Sequence, residues 1–536
     1  MIHSRRLLVF LCFAAAALAA DRPSAVSPSK PNIVIILCDD LGYGDVKANN
    51  PACKIVTPHM DRIAREGVRF TDAHTPSSVC TPTRYGLLTG RYNWRTRLQN
   101  GVLGGLSPRL IEPGRETIAS MLKAQGYHTA AIGKWHLGMD WAKLPGKTVA
   151  ENSVETPAQV RNVDFTAPIA NGPTSVGFDR FFGISASLDM VPYTFIENNR
   201  VTVAPTAEKT WPMHPGYPGE CRIGPAAPDF EVANVLPTFA RQAAAYIAER
   251  AATKQPFFLY LPLNAPHTPI APNKPWVGKS GLNLYADFVM ETDWAVGEVL
   301  AALDRAGIAQ DTLLVFTSDN GCSPQAKIDV LAEKGHAVSG PLRGSKADIW
   351  DGGHRVPFFV RWPAKVKPAV TDQLVCLTDV FATCAEIVGA RVPAAAGEDS
   401  MSFLANLTAT GKSARDAVVH HSIEGAFAIR QGPWKLALCP GSGGWTAPRD
   451  PAARQQGLPD TQLYRIADGD IAEEKNLAAQ NSEVVTRLTK LLETYVANGR
   501  STPGAAQQNA VPIFLRKPIA DADTKAAKKA AKKKAE

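Results

Sequence analysis

Pro31-Asn32-Ile33-Val34-Ile35-Ile36-Leu37-Cys38-Asp39-Asp40 decides the fold. Asn32–Leu37 is apolar, β-branched and too short for a helix, so it reads as a strand buried on both faces. It runs directly into two aspartates. Three more apolar runs end the same way. Thr129–Ile132 leads into Gly133-Lys134-Trp135-His136, Phe257–Pro262 into Asn264-Ala265-Pro266-His267, and Thr312–Phe316 into Ser318-Asp319-Asn320-Gly321. One polar loop after a strand is ordinary, because loops face water. Four strands leaving into carboxylates, imidazoles and an ammonium are not. Open α/β sheets bind ligands beyond the carboxyl ends of their strands, so the four ends imply one shared rim.

Working outward, short apolar runs alternate with amphipathic helices from Pro31 to about residue 400, with Phe358–Arg361 as a fifth strand. The pattern predicts an α/β fold built on a large mixed, mostly parallel sheet flanked by helices. A helix is expected over Tyr285–Arg305, with an apolar stripe of Val289, Val296, Val299, Leu300 and Leu303 and Gly307 beyond its end. Residues 140–235 are rich in proline, glycine and asparagine and read as long loops on the substrate side. Their aromatics Trp141, Tyr193, Trp211 and Tyr217 are candidates for stacking on sugar rings. From about residue 415, Val418–His421, Ala426–Arg430 and Trp434–Leu438 read as antiparallel strands and Glu483–Ala497 as a helix, a smaller C-terminal α+β subdomain. The expected divisions are a signal at 1–19, a linker at 20–30, a catalytic domain at 31–414, the subdomain at 415–500 and a tail at 501–536.

The 536 residues are 45% hydrophobic, enough for a sizeable core. Arg5 and Arg6 precede the apolar run Leu7–Leu18, and Ala17-Leu18-Ala19 offers a small-residue cleavage site. These features predict an export signal, hence a periplasmic or secreted protein with no transmembrane segment in the mature chain. The net charge of +8 is concentrated at the ends. Residues 525–536 carry six lysines against Glu536, and the two leader arginines leave with the signal. What remains is close to neutral, which argues against a nucleic-acid partner. Beyond Cys12 in the leader there are eight cysteines, at 38, 53, 80, 221, 322, 376, 384 and 439, without zinc-type spacing. Export permits disulfides; the sequence does not pair them.

Asp39, Asp40, Asp319 and Asn320 offer only oxygen ligands. Two carboxylates about 4 Å apart repel by about 4 kcal/mol at an effective dielectric near 20, so a cation belongs between them. Hard oxygen donors select calcium or magnesium. A helix starting near Pro82 places Cys80 at its N-terminus, where free N–H groups suit an anion. Arg84 follows one turn later on the same face. Lys134 and His136, two apart on extended chain, share a side.

Cys80-Thr81-Pro82-Thr83-Arg84, within Ser77–Arg91, resembles the C-x-P-x-R signature of the type I sulfatases, arylsulfatase-like members of the alkaline phosphatase superfamily. The run Gly133-Lys134-Trp135-His136-Leu137-Gly138, His267 in Ala-Pro-His-Thr-Pro, and Leu342-Arg343-Gly344-Ser345-Lys346 also match that family, and the likeness spans about residues 31–500. The resemblance implies an alkaline-phosphatase-like fold and a formylglycine made from Cys80 by a formylglycine-generating or anaerobic maturase enzyme. It implies calcium, with magnesium second, held by Asp39, Asp40, Asp319, Asn320 and the modified residue 80. By the same likeness Arg84, Lys134, His267 and Lys346 bind the sulfate of a sulfated small molecule or glycan. His267 or Lys346 protonates the leaving alcohol, and His136 accepts a proton from the aldehyde hydrate as sulfate is released. The implied activity is hydrolysis of a sulfate ester, with export and the loop aromatics favouring a carbohydrate sulfate. The alternatives are a phosphonate or phosphate ester hydrolase of the same superfamily and a non-catalytic binder of sulfated glycans. His354 stands where many relatives carry an apolar residue and receives no role; Ser187 and Asp189 are left unassigned.

Overall fold

Ten strands make the main sheet: β1 Asn32–Cys38, β2 Val68–Phe70, β3 His128–Lys134, β4 Arg180–Ile184, β5 Ile196–Glu197, β6 Arg200–Val201, β7 Phe257–Pro262, β8 Thr312–Ser318, β9 Phe358–Arg361 and β10 Ala369–Thr371. Their spatial order is β10-β2-β9-β8-β1-β7-β3-β4-β5-β6. This computed structural model describes residues 30–149, 155–409, 411 and 415–516. The expected signal and the lysines of the tail lie outside the described residues.

The five strands β8-β1-β7-β3-β4 run parallel, with Ile33–Leu37 registered between Phe258–Pro262 and Leu313–Thr317. From Ile33 on, every β1 side chain is buried, as a strand covered on both faces requires. β9 turns antiparallel to β8, and the short β5 and β6 close the other edge antiparallel. Two long helices, Val235–Ala251 (α1) and Leu284–Arg305 (α2), pack together on the sheet. Asn283 caps α2 through Ala286 N–H. The helix coincides with the predicted one, beginning one residue earlier.

Residues 140–235 are more ordered than their composition suggests. β4 lies within them and extends the parallel sheet, and Ala207–Lys209 pairs with Gly224–Ala226. Trp141 and Tyr193 are buried, against Phe165 and Trp211 respectively. They are core residues, not surfaces for sugar stacking. Tyr217 remains exposed, with Lys327 Nζ 4.1 Å over its ring.

A separate four-stranded antiparallel sheet follows, β11 Ala417–His421, β12 Phe427–Gln431, β13 Trp434–Ala437 and β14 Gln462–Arg465. The helix Ser482–Ala497 (α3) covers it through Leu488 and Leu492. Residues 501–510, expected to begin a tail, are hydrogen bonded to the body. Arg95 donates to Asn509 Oδ1 at 2.9 Å, and Arg91 to Gln508 O at 2.7 Å. Among the described residues no helix is long and apolar enough to cross a membrane. All eight described cysteines are free and buried.

Candidate active site

The carboxyl ends of β1, β7, β3 and β8 meet, as their polar exits require. Backbone bonds tie neighbouring exits together: Asp39 N–H to Ala265 O and Asp319 N–H to Cys38 O, both 3.0 Å. Ser318 Oγ accepts from Leu41 N–H at 3.0 Å and donates to Asn320 O at 2.9 Å, holding the two acidic turns in register. Sequence reasoning passed over Ser318, although it stands beside the Asp-Asn pair.

A buried helix, Cys80–Thr89, enters this rim by its N-terminus. Val79 offers no side-chain cap, so the first-turn N–H groups stay available where Cys80 sits. Cys80 Sγ lies 3.6 Å from Asp39 Oδ1, and Arg84 Nη2 lies 3.6 Å from the same oxygen, so the one-turn spacing puts both on one face. Arg84 Nε and Nη2 donate to Asp319 Oδ2 at 3.1 and 2.7 Å, and Nη1 to Lys134 O at 3.0 Å.

Lys134 Nζ binds Asp39 Oδ2 at 2.5 Å, and Lys346 Nζ binds Asp40 Oδ1 and Oδ2 at 2.7 and 2.8 Å. His267 Nε2 is 3.7 Å from Asp40 Oδ2. Asn320 Nδ2 donates to Asp40 Oδ1 at 2.7 Å. His136 Nε2 lies 2.8 Å from Leu103 O, while its Nδ1 is buried without a partner. All ten predicted site residues are therefore gathered in one place, none more than 7% exposed. Such closure suits a small, fully desolvated anion.

Three cationic side chains, Arg84, Lys134 and Lys346, face three carboxyl groups, Asp39, Asp40 and Asp319, so a cation and an anion entering together largely offset each other's charge. Burial pushes the Asp39 carboxyl up, yet Lys134, His267, Arg84 and Lys346 outweigh it and hold it far below the usual carboxylate range. Burial, then the charge of Asp39, pushes Asp319 up to about 7. Burial also raises the Cys80 thiol well above its ordinary value, so an unmodified thiol here is a poor nucleophile. His136 is driven low by burial and then by Lys134 and Arg84. Burial acts to lower Lys346, but Asp40 outweighs it and the ammonium persists.

Could these residues hold a cation? One ligand atom each from Asp39, Asp40, Cys80 and His267 lies within 4.8 Å of the others. Asn320 Oδ1 is buried with no hydrogen-bond partner, an orphaned acceptor beside the carboxylates. Three carboxylates and an amide oxygen are the hard donor set of calcium or magnesium, so the site fits such an ion.

Ser187 and Asp189 follow β4, next to the segment in which Ser185 O accepts from His136 N–H at 2.9 Å. Asp189 pairs with Arg222 at 2.9 Å. Arg222 Nε in turn lies 3.6 Å from Glu155 Oε2. Neither Arg222 nor Glu155 was singled out by sequence, because both sit in the stretch of weak periodicity.

The chain also resembles known proteins along most of its length. The family model described as Sulfatase matches residues 31–390. The chain is 34% identical over 514 residues to an N-acetylgalactosamine-6-O-sulfatase of Bacteroides thetaiotaomicron, covering 88% of this chain and 94% of that protein. It is 32% identical to human arylsulfatase A, over 80% of this chain and 77% of the other. A solved structure from work on the metabolism of multiple glycosaminoglycans by Bacteroides thetaiotaomicron superposes with a TM-score of 0.74 at 32% identity, covering 87% of this chain and 99% of that one. A rim of paired aspartates, a helix-borne cysteine and arginine, and relatives matched over 77–99% of their length lead to one conclusion: the chain belongs to the sulfatase family and is a sulfuric ester hydrolase.

Proposed function

We propose that the protein is an exported carbohydrate sulfatase that removes the 6-sulfate of N-acetylgalactosamine units, working through a formylglycine made from Cys80 by a maturation enzyme. The observation that carries this reading is the placement of Cys80 Sγ 3.6 Å from Asp39 Oδ1, at an uncapped helix N-terminus flanked by Arg84. The likeness to an N-acetylgalactosamine-6-O-sulfatase over 94% of its length supports the choice of sugar.

Asp39, Asp40, Asp319 and Asn320 would hold calcium, which, when bound, draws charge from a sulfate oxygen. The hydrated aldehyde at residue 80 would supply a nucleophilic oxygen that a thiol cannot. The chain's own residues do the rest. Arg84 presents a fixed fork to sulfate oxygens, oriented by Asp319 and Lys134 O. Lys134 and Lys346 add two ammonium groups, each anchored by a carboxylate, so binding an anion needs little rearrangement. Lys346 or His267 hands a proton to the departing alcohol; Lys346, kept charged by Asp40, carries one at neutral pH. His136, neutral and with a free Nδ1, is placed to accept a proton when sulfate leaves.

The test is sulfate release from defined sulfated oligosaccharides, with calcium present and the maturation enzyme co-expressed. Release from 6-sulfated N-acetylgalactosamine but not from 4-sulfated isomers supports the assignment. Preference for another sulfated sugar overturns the choice of substrate. Faster turnover of phosphate or phosphonate esters than of any sulfate overturns the reaction class.

A further inference from the structure

We infer that His74, His354 and His420 form a second metal site, for a transition ion such as zinc, composed of none of the oxygen donors of the catalytic rim. His74 lies in the short strand Ala73–His74, His354 ends the helical turn Asp351–His354, and His420 belongs to β11. All three are fully buried, and one ring nitrogen from each lies within 4.8 Å of the other two.

The hydrogen bonds around the rings decide which nitrogens are free. His74 Nε2 is 2.9 Å from Asp72 Oδ1, and His354 Nε2 is 3.0 Å from Ile349 O. A carboxylate and a carbonyl can only accept, so in these bonds both Nε2 atoms carry their protons; Arg430 Nη1, 3.3 Å from His74 Nε2, has a nearer partner in Asp72 Oδ1 at 2.5 Å. The two Nδ1 lone pairs then face each other across 3.1 Å. Two bare lone pairs at that distance repel, and a metal ion or a shared proton between them relieves it. Tetrahedral zinc with Zn–N bonds of about 2.0–2.1 Å separates its nitrogens by about 3.3 Å. The third ring repeats the pattern. His420 Nδ1 is 3.3 Å from Thr75 O, leaving Nε2 buried without a partner. Acceptors behind the ligating rings are the usual outer support of metal-bound histidine.

His420 now stacks on His354, with centroids 3.7 Å apart and planes 13° from parallel, so its ring must turn to enter the shell. Asp351 Oδ2 is buried with no hydrogen-bond partner, and Oδ1 lies 3.7 Å from His354 Nε2. The surrounding charges offset one another: Asp72, Asp351 and Glu473 face Arg355, Arg430 and Lys435. The competing arrangement uses Lys435, whose Nζ lies 3.1 Å from His354 Nε2. Donation from it would move the His354 proton to Nδ1, and a proton would bridge the rings in place of a metal. Lys435 is already engaged by Asp351 and Glu473, each at 2.7 Å. A metal would pin the C-terminal sheet to the segment that leads, six residues after His74, into Cys80. It is a structural role, of the kind in which ion binding and folding are coupled.

The test is cobalt(II) titration of metal-free protein after saturation with calcium, which occupies the oxygen-lined rim. The wild type is expected to take one equivalent, with the strong visible absorption of a tetrahedral nitrogen-ligated ion, and to melt at a higher temperature. His354→Leu and His420→Phe are expected to weaken uptake by more than roughly tenfold, with an unchanged far-ultraviolet circular dichroism spectrum. Wild-type protein that shows no cobalt absorption overturns the site, whether or not the variants fold. Equal uptake by folded variants overturns it as well.

Discussion

Arg84 shows most clearly how one side chain organises this active site. Its guanidinium binds Asp319 through two nitrogens, reaches Asp39 at 3.6 Å and takes Lys134 O, so it fixes three of the four strand ends at once. Lysine keeps the charge but loses the planar fork. Arg84→Lys is expected to lower kcat/KM by ~100-fold or more while leaving the fold intact, checked by steady-state sulfate release beside a melting curve. Asp40 and His136 adopt φ of 66° and 54°, a left-handed backbone unusual outside glycine. Strain of about 1–3 kcal/mol at each is held by the turns around them, consistent with function being placed before local stability. That these ten residues would meet was legible because four apolar strands end in acids and bases, and because the cysteine motif names its own partners. His354 was noticed but unexplained, since its meaning lies in His74 and His420, distant in sequence. Two of the four aromatics, Trp141 and Tyr193, were misread: composition does not tell a Trp141 packed on Phe165 from one exposed to substrate.

At the scale of elements, what positions the site is the close approach of strand exits. Gly133 has φ of 136°, and a Cβ there would lie 1.9 Å from Pro262 O on β7. Gly133→Ala is therefore expected to cost ~2–4 kcal/mol in urea unfolding and to reduce activity more than Ala substitutions on α1, because it displaces Lys134. Parallel core strands were readable as continuous apolar runs, and α2 by its period. β4 was not, because Arg180–Ile184 opens on a charged residue, includes Gly183, and sits in a proline-rich region whose composition signals loops. Its place is set by pairing with β3, a tertiary effect that no local pattern encodes.

Over the whole molecule, a cation held at the rim would couple stability to metal. Asp319, raised to about 7 by burial and by Asp39, favours its protonated form when folded. Its ordinary value is near 4, so without an ion stability is lost as pH rises from about 4 to 7 and is level above. Asp39, held low, changes only below that window. Buried imidazoles held low, His136 among them, add the opposite slope, so the readable quantity is the difference calcium makes. The rise in melting temperature on adding calcium is expected to grow between pH 5 and 7 as Asp319 loses its proton, as scanning calorimetry with and without calcium would show. A calcium effect that is flat across that window would place the ion elsewhere. The central claim concerns residue 80 itself, and tandem mass spectrometry of the peptide that contains it tests this most directly. For protein made with a maturation enzyme, the account predicts a residue about 18 Da lighter than cysteine, its fraction rising in step with sulfate-releasing activity, and neither in Cys80→Ala. Full activity from protein whose residue 80 is wholly unmodified cysteine would contradict it.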